Sequence, residues 1–373
     1  MGPVYPVRLA NAQQSARLDA CDTRDRRIVT NNPTPIQVSL TWLNDATEEL
    51  AQRVGTSEAE RIVARFRSVV PAGYDEMNWP TTAALDFAAM EPLLDSSIAD
   101  GASSLEVIHF AGDDDRTWRV RLYRKGQRMA LADLLPLLAN AGLRALDERS
   151  FRFDIDGVSL WVHDVGVAVP AEVTVDDDWA LLKQVVGALL AGTVEADSLN
   201  SLVLHGGLQV RSIEILRAYS RYLRQINFPF SQTYIESVLI RHSAIAAMLV
   251  ELFEARLDPR TLDDDGRRAA DVTDRIAMAL DAVPGLDDDR TIRALLTLIQ
   301  ATLRTNAFQV GPDGGHQPVL SFKFDTAKIP DLPLPRPMFE IWVCSPRVEG
   351  VHLRNGRIAR GGIRWSDRPE DFR

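Results

Sequence analysis

Cysteine is nearly absent: Cys21 and Cys344 are the only two in 373 residues. Thiols this far apart in sequence make neither a disulfide framework nor a CxxC metal site, and such sparse usage fits a reducing compartment. No apolar run approaches the ~18 residues of a membrane-crossing helix. The N-terminus lacks the continuous apolar stretch of a secretory signal. Positive charge is in deficit as well, with 42 basic against 52 acidic residues and a formal net charge of −10. Nucleic-acid binding needs a basic surface, so neither nucleic acid nor membrane is expected as a partner, and a cytoplasmic location is. The hydrophobic share of 46% is that of a globular chain, and the length asks for two or three domains rather than one core.

Several signatures of catalysis are missing too. There is no P-loop, no GxGxxG between a strand and a helix, and no GxSxG elbow. The histidines (His109, His163, His205, His242, His316 and His352) form no H-x-H, HExxH or Cys/His pair. His163 and Asp164 adjoin in an expected strand, where neighbours face opposite ways, so a structural role is favoured over an acid/base couple. Aspartate triples at 113–115, 176–178, 263–265 and 287–289 suggest calcium at first sight. The third, followed by Gly266, comes nearest to an EF-hand loop, but Thr261 and Val272 occupy positions that need acidic ligands. Turns and helix N-caps are the simpler reading, and no metal is expected.

What is present is organised in blocks. Residues 1–35 are polar, proline-punctuated and aperiodic, and read as a poorly ordered leader. A helical segment over 36–103 carries Leu50, Val54, Ile62, Val63 and Phe66, then Leu85, Phe87, Met90, Leu93 and Leu94, at helical spacing. Over 104–170 the pattern becomes strand, strand, helix, strand, strand: Leu105 to Phe110, Trp118 to Tyr123, a leucine-rich helix, then Phe151 to Ile155 and Val158 to Val165 joined at Asp156-Gly157, a hairpin signal. That order is an α+β layer of the ACT type. Residues 177–310 are expected to be helical, with stripes at Leu182, Val185, Val186 and Leu189, at Leu216, Tyr219, Tyr222 and Leu223, and at Ile292, Leu295, Leu296, Ile299 and Leu303, the last opened by Asp289 as N-cap. Arg217, Arg221 and Arg224 share one helix face, read as a solvated face rather than a phosphate patch. From 317 strands return, with Asn355-Gly356 signalling a hairpin whose second strand starts at Ile358.

The most specific chemistry lies at the end. Arg360-Gly361-Gly362-Ile363-Arg364 sets bare backbone between two guanidinium groups, in a run that also holds Arg354, Arg357, Arg368 and Arg373. Glycine backbone permits close approach of a ligand, and arginine offers a planar fork to a carboxylate or phosphate. An anionic-substrate site and a plain strand bulge with surface charges are both open on this pattern.

The string of segments LLPLLANAGLR from Leu134, LRAYSRYLRQ from Leu216, FSQTYIE from Phe230, LFEARLDP from Leu252, ATLRTNAFQ from Ala301, LSFKFD from Leu320 and the stretch from Pro335 to Arg373 resembles the large-type bacterial NAD-dependent glutamate dehydrogenases. The resemblance begins near residue 40, and the final stretch is its most specific part. It implies oxidative deamination of L-glutamate to 2-oxoglutarate and ammonia, with NAD as cofactor. It implies that 317–373 begins a catalytic domain, that the chain is a fragment, and that the catalytic lysine and the NAD-binding domain lie downstream. No catalytic, cofactor-binding or metal-binding residue is therefore assigned within the chain. The substrate carboxylate falls by match to Arg360, Gly361 and Gly362, with Arg364 second. The whole enzyme is expected to be a homo-oligomer, with an amino-acid effector as an additional partner. Ala307 and Cys344 depart from an aromatic and a tyrosine usual in that family.

On the residues alone two other readings stay open. One is a stand-alone ACT-like regulatory protein that binds an amino acid without catalysis. The other is a helical nucleic-acid adaptor.

Overall fold

The computed structural model describes residues 39–110, 113–171, 173, 179–260, 266–312 and 314–354, with the backbone of 363–366. The expected leader at 1–35 lies outside these residues. The chain divides into two compact units: the first runs to Ala139 and includes Leu143–Ala191, and the second comprises Asn140–Gly142 and the chain from Gly192 on.

The first unit opens with α1 (Leu40–Val54), α2 (Thr56–Phe66), the short α3 (Tyr74–Met77) and α4 (Pro80–Met90). Pro80 stands at the first turn of α4, where its missing N–H costs nothing. Strands β1 (Ser103–Ile108) and β2 (Thr117–Lys125) follow, then α5 (Leu131–Asn140), β3 (Arg144–Ile155), β4 (Val158–Ala168) and α6 (Ala180–Leu190). The sheet order is β1-β2-β4-β3, and each adjacent pair is antiparallel. The expected strand order and the turn between the last two strands are both present. Asp156 and Gly157 have φ of 52° and 80°, the left-handed pair that a two-residue hairpin turn requires.

The early helices bury their apolar stripe on one sheet face. Phe66 stacks on Phe87 at 4.8 Å between ring centroids, and both rings meet Phe153 of β3 edge-on. Tyr74 contacts Phe151 and Phe153 in the same cluster. Into this apolar layer α4 carries a carboxylate, Asp86, fully buried. Arg121 of β2 donates to it from Nε and Nη2 at 2.8 and 2.6 Å, and Tyr123 and Tyr74 donate their hydroxyls.

Alternation sends His163 and Asp164 of β4 to opposite faces, as expected. Asp164 lies beside Arg119 and Arg121, whereas the His163 ring meets Glu148 through Nδ1 at 3.1 Å and accepts the Met129 amide at Nε2. Both are structural contacts. The turn expected at 113–115 is formed in part by Asp114, whose Oδ1 accepts the Arg116 amide at 2.8 Å.

The second unit contains the short α7 (Leu202–His205), α8 (Val210–Gln225), α9 (Gln232–Arg241), α10 (Ser243–Leu257), α11 (Arg267–Leu280) and α12 (Leu286–Ala301). Strands β5 (Thr302–Thr305), β6 (Leu320–Asp325), β7 (Phe339–Cys344), β8 (Glu349–Arg354) and β9 (Ile363–Ser366) form an antiparallel sheet in sequential order. Ser231 caps α9 by accepting the Tyr234 amide.

Two expectations at α12 fail. Gly285 takes the N-cap position, so Asp287, Asp288 and Asp289 occupy the first turn, where acidic side chains meet the positive end of the helix dipole. Leu303 does not extend the stripe: the helix ends at Ala301, and Leu303 is an exposed residue of β5. Thr302 and Thr305, β-branched residues on either side of it, favour the strand. Residues 263–265 lie outside the described residues.

Candidate functional site

The arginine and glycine segment belongs to the second unit, at the far edge of its sheet. One face of that sheet is buried: Leu320, Phe322 and Phe324 of β6, Glu340, Trp342 and Cys344 of β7, and Glu349 and Val351 of β8 all lie on it. The helix α8 covers this face through its stripe of Leu216, Tyr219, Tyr222 and Leu223. Tyr219 lies 4.9 Å from Phe322, and Tyr222 lies 4.4 Å from Phe324, ring to ring.

Polar contacts pin the register of helix and sheet. The Trp342 indole donates to the Ala218 carbonyl at 2.9 Å. The Tyr222 hydroxyl donates to Glu340. Arg221 pairs with Glu349 of β8 and with Glu195. Arg217 forks onto Asp197 at 2.6 and 2.8 Å and reaches Asn200 at 3.0 Å. At the start of α8, Arg211 donates to the carbonyl oxygens of Ala307 and Gln317, which ties down the loop between β5 and β6.

The solvated face expected of Arg217, Arg221 and Arg224 is thus overturned for two of the three. Arg217 is 4% exposed, and Arg221 is committed to two carboxylates. Arg224 donates to the Phe230 carbonyl. Their partners sit up to 128 residues away in sequence, so no helical periodicity points to them. A signal did exist at Glu340, a carboxylate inside the otherwise apolar run FEIWVC.

Burial sets the protonation of these groups. It pushes the Glu340 carboxyl above its ordinary range, against the opposing hydrogen bond from Tyr222. Glu349 is raised by the same cause, against the pull of Arg221. The Cys344 thiol is held far above its usual value by burial, reinforced by Glu349. A thiol held protonated is a poor nucleophile, so Cys344 is packing material.

Strand β8 pairs antiparallel with β9, with Glu349 opposite Ser366, Val351 opposite Arg364 and His352 opposite Ile363. The second strand begins at Ile363, five residues later than the hairpin signal suggested. Asn355-Gly356, and with them Arg360, Gly361 and Gly362, fall outside the described residues. Of the four expected substrate residues, only Arg364 is placed, by its backbone position opposite Val351. Among the described residues no group of three or more His, Cys, Asp or Glu is placed to hold a metal ion.

Comparison with known proteins agrees with this arrangement segment by segment. Residues 104–180 match the glutamate dehydrogenase ACT3 domain, residues 194–259 the glutamate dehydrogenase helical motif 3, and residues 275–373 the catalytic domain of bacterial NAD-glutamate dehydrogenase. Three curated relatives carry the name NAD-specific glutamate dehydrogenase. The protein of Halomonas elongata is 36% identical over 345 residues, 91% of this chain and 21% of the relative. That of Pseudomonas aeruginosa is 38% identical over 350 residues, with the same coverage of 91% and 21%. That of Mycobacterium tuberculosis is 38% identical over 333 residues, 87% of this chain and 20% of the relative. The chain therefore spans about a fifth of the length of these relatives. With three successive segments matched in order, the chain belongs to the large-type bacterial NAD-glutamate dehydrogenase family.

Proposed function

We propose that the chain is part of an enzyme that converts L-glutamate, NAD and water to 2-oxoglutarate, ammonia and NADH in the cytoplasm, and that its last strands carry part of the glutamate site. The observation that carries this reading is the match of residues 275–373 to the catalytic domain, in which β8 and β9 form the paired strands on either side of Arg360, Gly361 and Gly362. In this reading the Arg360 guanidinium holds a substrate carboxylate through two parallel hydrogen bonds, the glycine amides approach it closely, and Arg364 adds positive charge. The first unit supplies an ACT-like domain over 104–170, which suits an amino-acid effector, and the assembled enzyme is a homo-oligomer. No helix among the described residues is long and apolar enough to cross a membrane.

The described residues do not fit NAD. A dinucleotide cradle takes a parallel strand, a glycine turn and the N-terminus of a helix, and every strand pair described here is antiparallel. No step is therefore routed through the cofactor.

The test compares this 373-residue chain with the longer coding product in an NADH-formation assay with L-glutamate. The longer protein is expected to turn over and this chain to stay at the level of a heat-inactivated control. A longer protein inert toward glutamate and active on another amino acid would displace the substrate assignment.

A further inference from the structure

We infer that the open face of the five-stranded sheet, centred on Lys323 and His352, is a binding site for a small carboxylate or phosphate anion. The inference goes beyond the assignment of Arg360 to glutamate and does not need it.

The pleat defines the site. Residues directly opposed across antiparallel strands share a face, and the register sets Arg304, Lys323, Ile341 and His352 in one row across β5 to β8. Phe339 and Arg354 oppose one another in the next row, beside Asp325. This face is opposite the one that α8 covers. Its central residues are half-buried rather than sealed, unlike Phe322 and Trp342 behind them.

Charge on this face is one-sided. Arg304, Lys323 and Arg354 stand against a single carboxylate, Asp325, in a protein whose formal charge is −10. Asp325 is already engaged: it accepts the Ala327 amide at 3.3 Å and lies 3.9 Å from the Lys328 ammonium. Among the described residues no carboxylate lies within ion-pair distance of Lys323. Its ammonium instead sits 4.1 Å from the centroid of the Phe339 ring. An aromatic face orients a cation without neutralising it, so the charge stays available to an anion.

A second, independent observation comes from His352. Its Nε2 is shut off from solvent and has no hydrogen-bond partner. A polar atom left in that condition is unfavourable, and an acceptor placed against an Nε2–H relieves it. A lysine without a counter-ion and a histidine nitrogen without a partner, on the same sheet face, make a matched pair of donors for one anion. His352 is also the residue opposite Ile363, immediately after Gly362. The site therefore adjoins the arginine and glycine segment in the sheet.

The experiment titrates this chain, at low ionic strength, with 2-oxoglutarate and separately with inorganic phosphate. Heat of binding and the imidazole NMR resonances of His352 are followed together. Saturable binding is expected, with the His352 Nε2 resonance moving in step with occupancy. Lys323→Gln should weaken binding about tenfold or more, the scale of one lost charge-assisted hydrogen bond. His352→Gln, which keeps an amide donor, should weaken it less. Lys328→Gln, which removes a lysine outside the row, should leave it within about twofold of wild type. Tighter binding of 2-oxoglutarate assigns the site to carboxylates, and tighter binding of phosphate assigns it to phosphoryl groups. No saturable binding by a folded wild-type chain, or equal binding by folded Lys323→Gln, would overturn the inference and leave Lys323 and Phe339 as a packing pair. The readout is binding by this chain, so it stands or falls apart from glutamate turnover by the longer protein.

Discussion

Arg121 and Asp86 meet as a two-bond ion pair at 2.8 and 2.6 Å, inside the apolar layer between the first helices and the first sheet. Burial pushes the Asp86 carboxyl upward, while two guanidinium and two phenolic donors converge on its oxygens. Burial likewise opposes charge on Arg121, but Asp86 and Asp164 hold its guanidinium well above the ordinary value. Removing one partner strands the other charge in the core, at a cost of about 3–5 kcal/mol. Arg121→Met should lose stability on that scale. Asp86→Leu combined with Arg121→Met should lose less than Arg121→Met alone, because neither charge is then orphaned. Urea unfolding of the three proteins checks this, and a double variant at least as unstable as the single would show that the pair is a net stabiliser.

Tyr222 and Glu340 do the same work in the second unit with one charge instead of two. The folded-state value of Glu340 is raised above that of the unfolded chain. Its contribution to stability is thus fully present below the unfolded value, about pH 4.3, and is lost as pH rises through the folded one. Glu340→Gln keeps an acceptor for Tyr222 and removes the buried charge, so it should be more stable than wild type at pH 8, with the gap closing toward pH 4. Glu340→Ala leaves the Tyr222 hydroxyl without an acceptor and should cost about 1–3 kcal/mol. Denaturation midpoints across pH distinguish the two substitutions; a gap between wild type and Glu340→Gln that does not change with pH would contradict a titrating Glu340.

Asp288 behaves in the opposite sense. Partial burial raises its carboxyl, but donors from Arg241, Tyr234 and His242 outweigh that and lower it to about 2. A depressed carboxylate stabilises the fold above its unfolded value, about 3.9, and that support is withdrawn as pH falls from about 4 toward 2. Asp288→Asn should therefore flatten the acid limb of the stability profile over that window, with α9 and α12 loosening together. Urea midpoints at pH 5 and pH 2.5 provide the check; equal acid sensitivity in both proteins would remove Asp288 from the acid response.

The sequence made the elements legible and left their polar ties hidden, for a physical reason. The Asp156-Gly157 turn and the stripe of α8 are local signals, written in backbone preference and a period of 3.6. The partners of Arg217 and Arg221 are not: Asp197, Glu195 and Glu349 are ordinary carboxylates until the fold brings them beneath the sheet. A surface arginine and a buried one look alike along a helix when both flank tyrosines, which is why that face was misread. The end of α12 shows the converse, a periodic leucine at 303 drawn into a strand by its β-branched neighbours and by pairing with β6. At the candidate substrate site the sequence is more informative than the fold. Its arginine and glycine spacing is a local pattern, whereas the described structure contributes the strand pair on either side of it and the open face with Lys323 and His352.

Arg360 gives the sharpest test of the proposed glutamate site in the longer enzyme. A guanidinium beside Gly361-Gly362 holds a carboxylate through two parallel hydrogen bonds; lysine keeps the charge without the fork, and alanine has neither. Hydrogen bonds to charged groups contribute roughly 1.5–3 kcal/mol, so Arg360→Ala should lower kcat/KM for glutamate by about 10- to 200-fold. If the contact is equally strong in the ground and transition states, the loss falls on KM and spares kcat. Arg360→Lys should sit between the two. Affinity for NAD should hardly change, because the described strands offer no parallel pair to hold a dinucleotide. Steady-state kinetics with glutamate and NAD varied separately make the comparison. Unchanged KM and kcat in Arg360→Ala would take the residue out of the site and reduce the glycine pair to a turn between two strands.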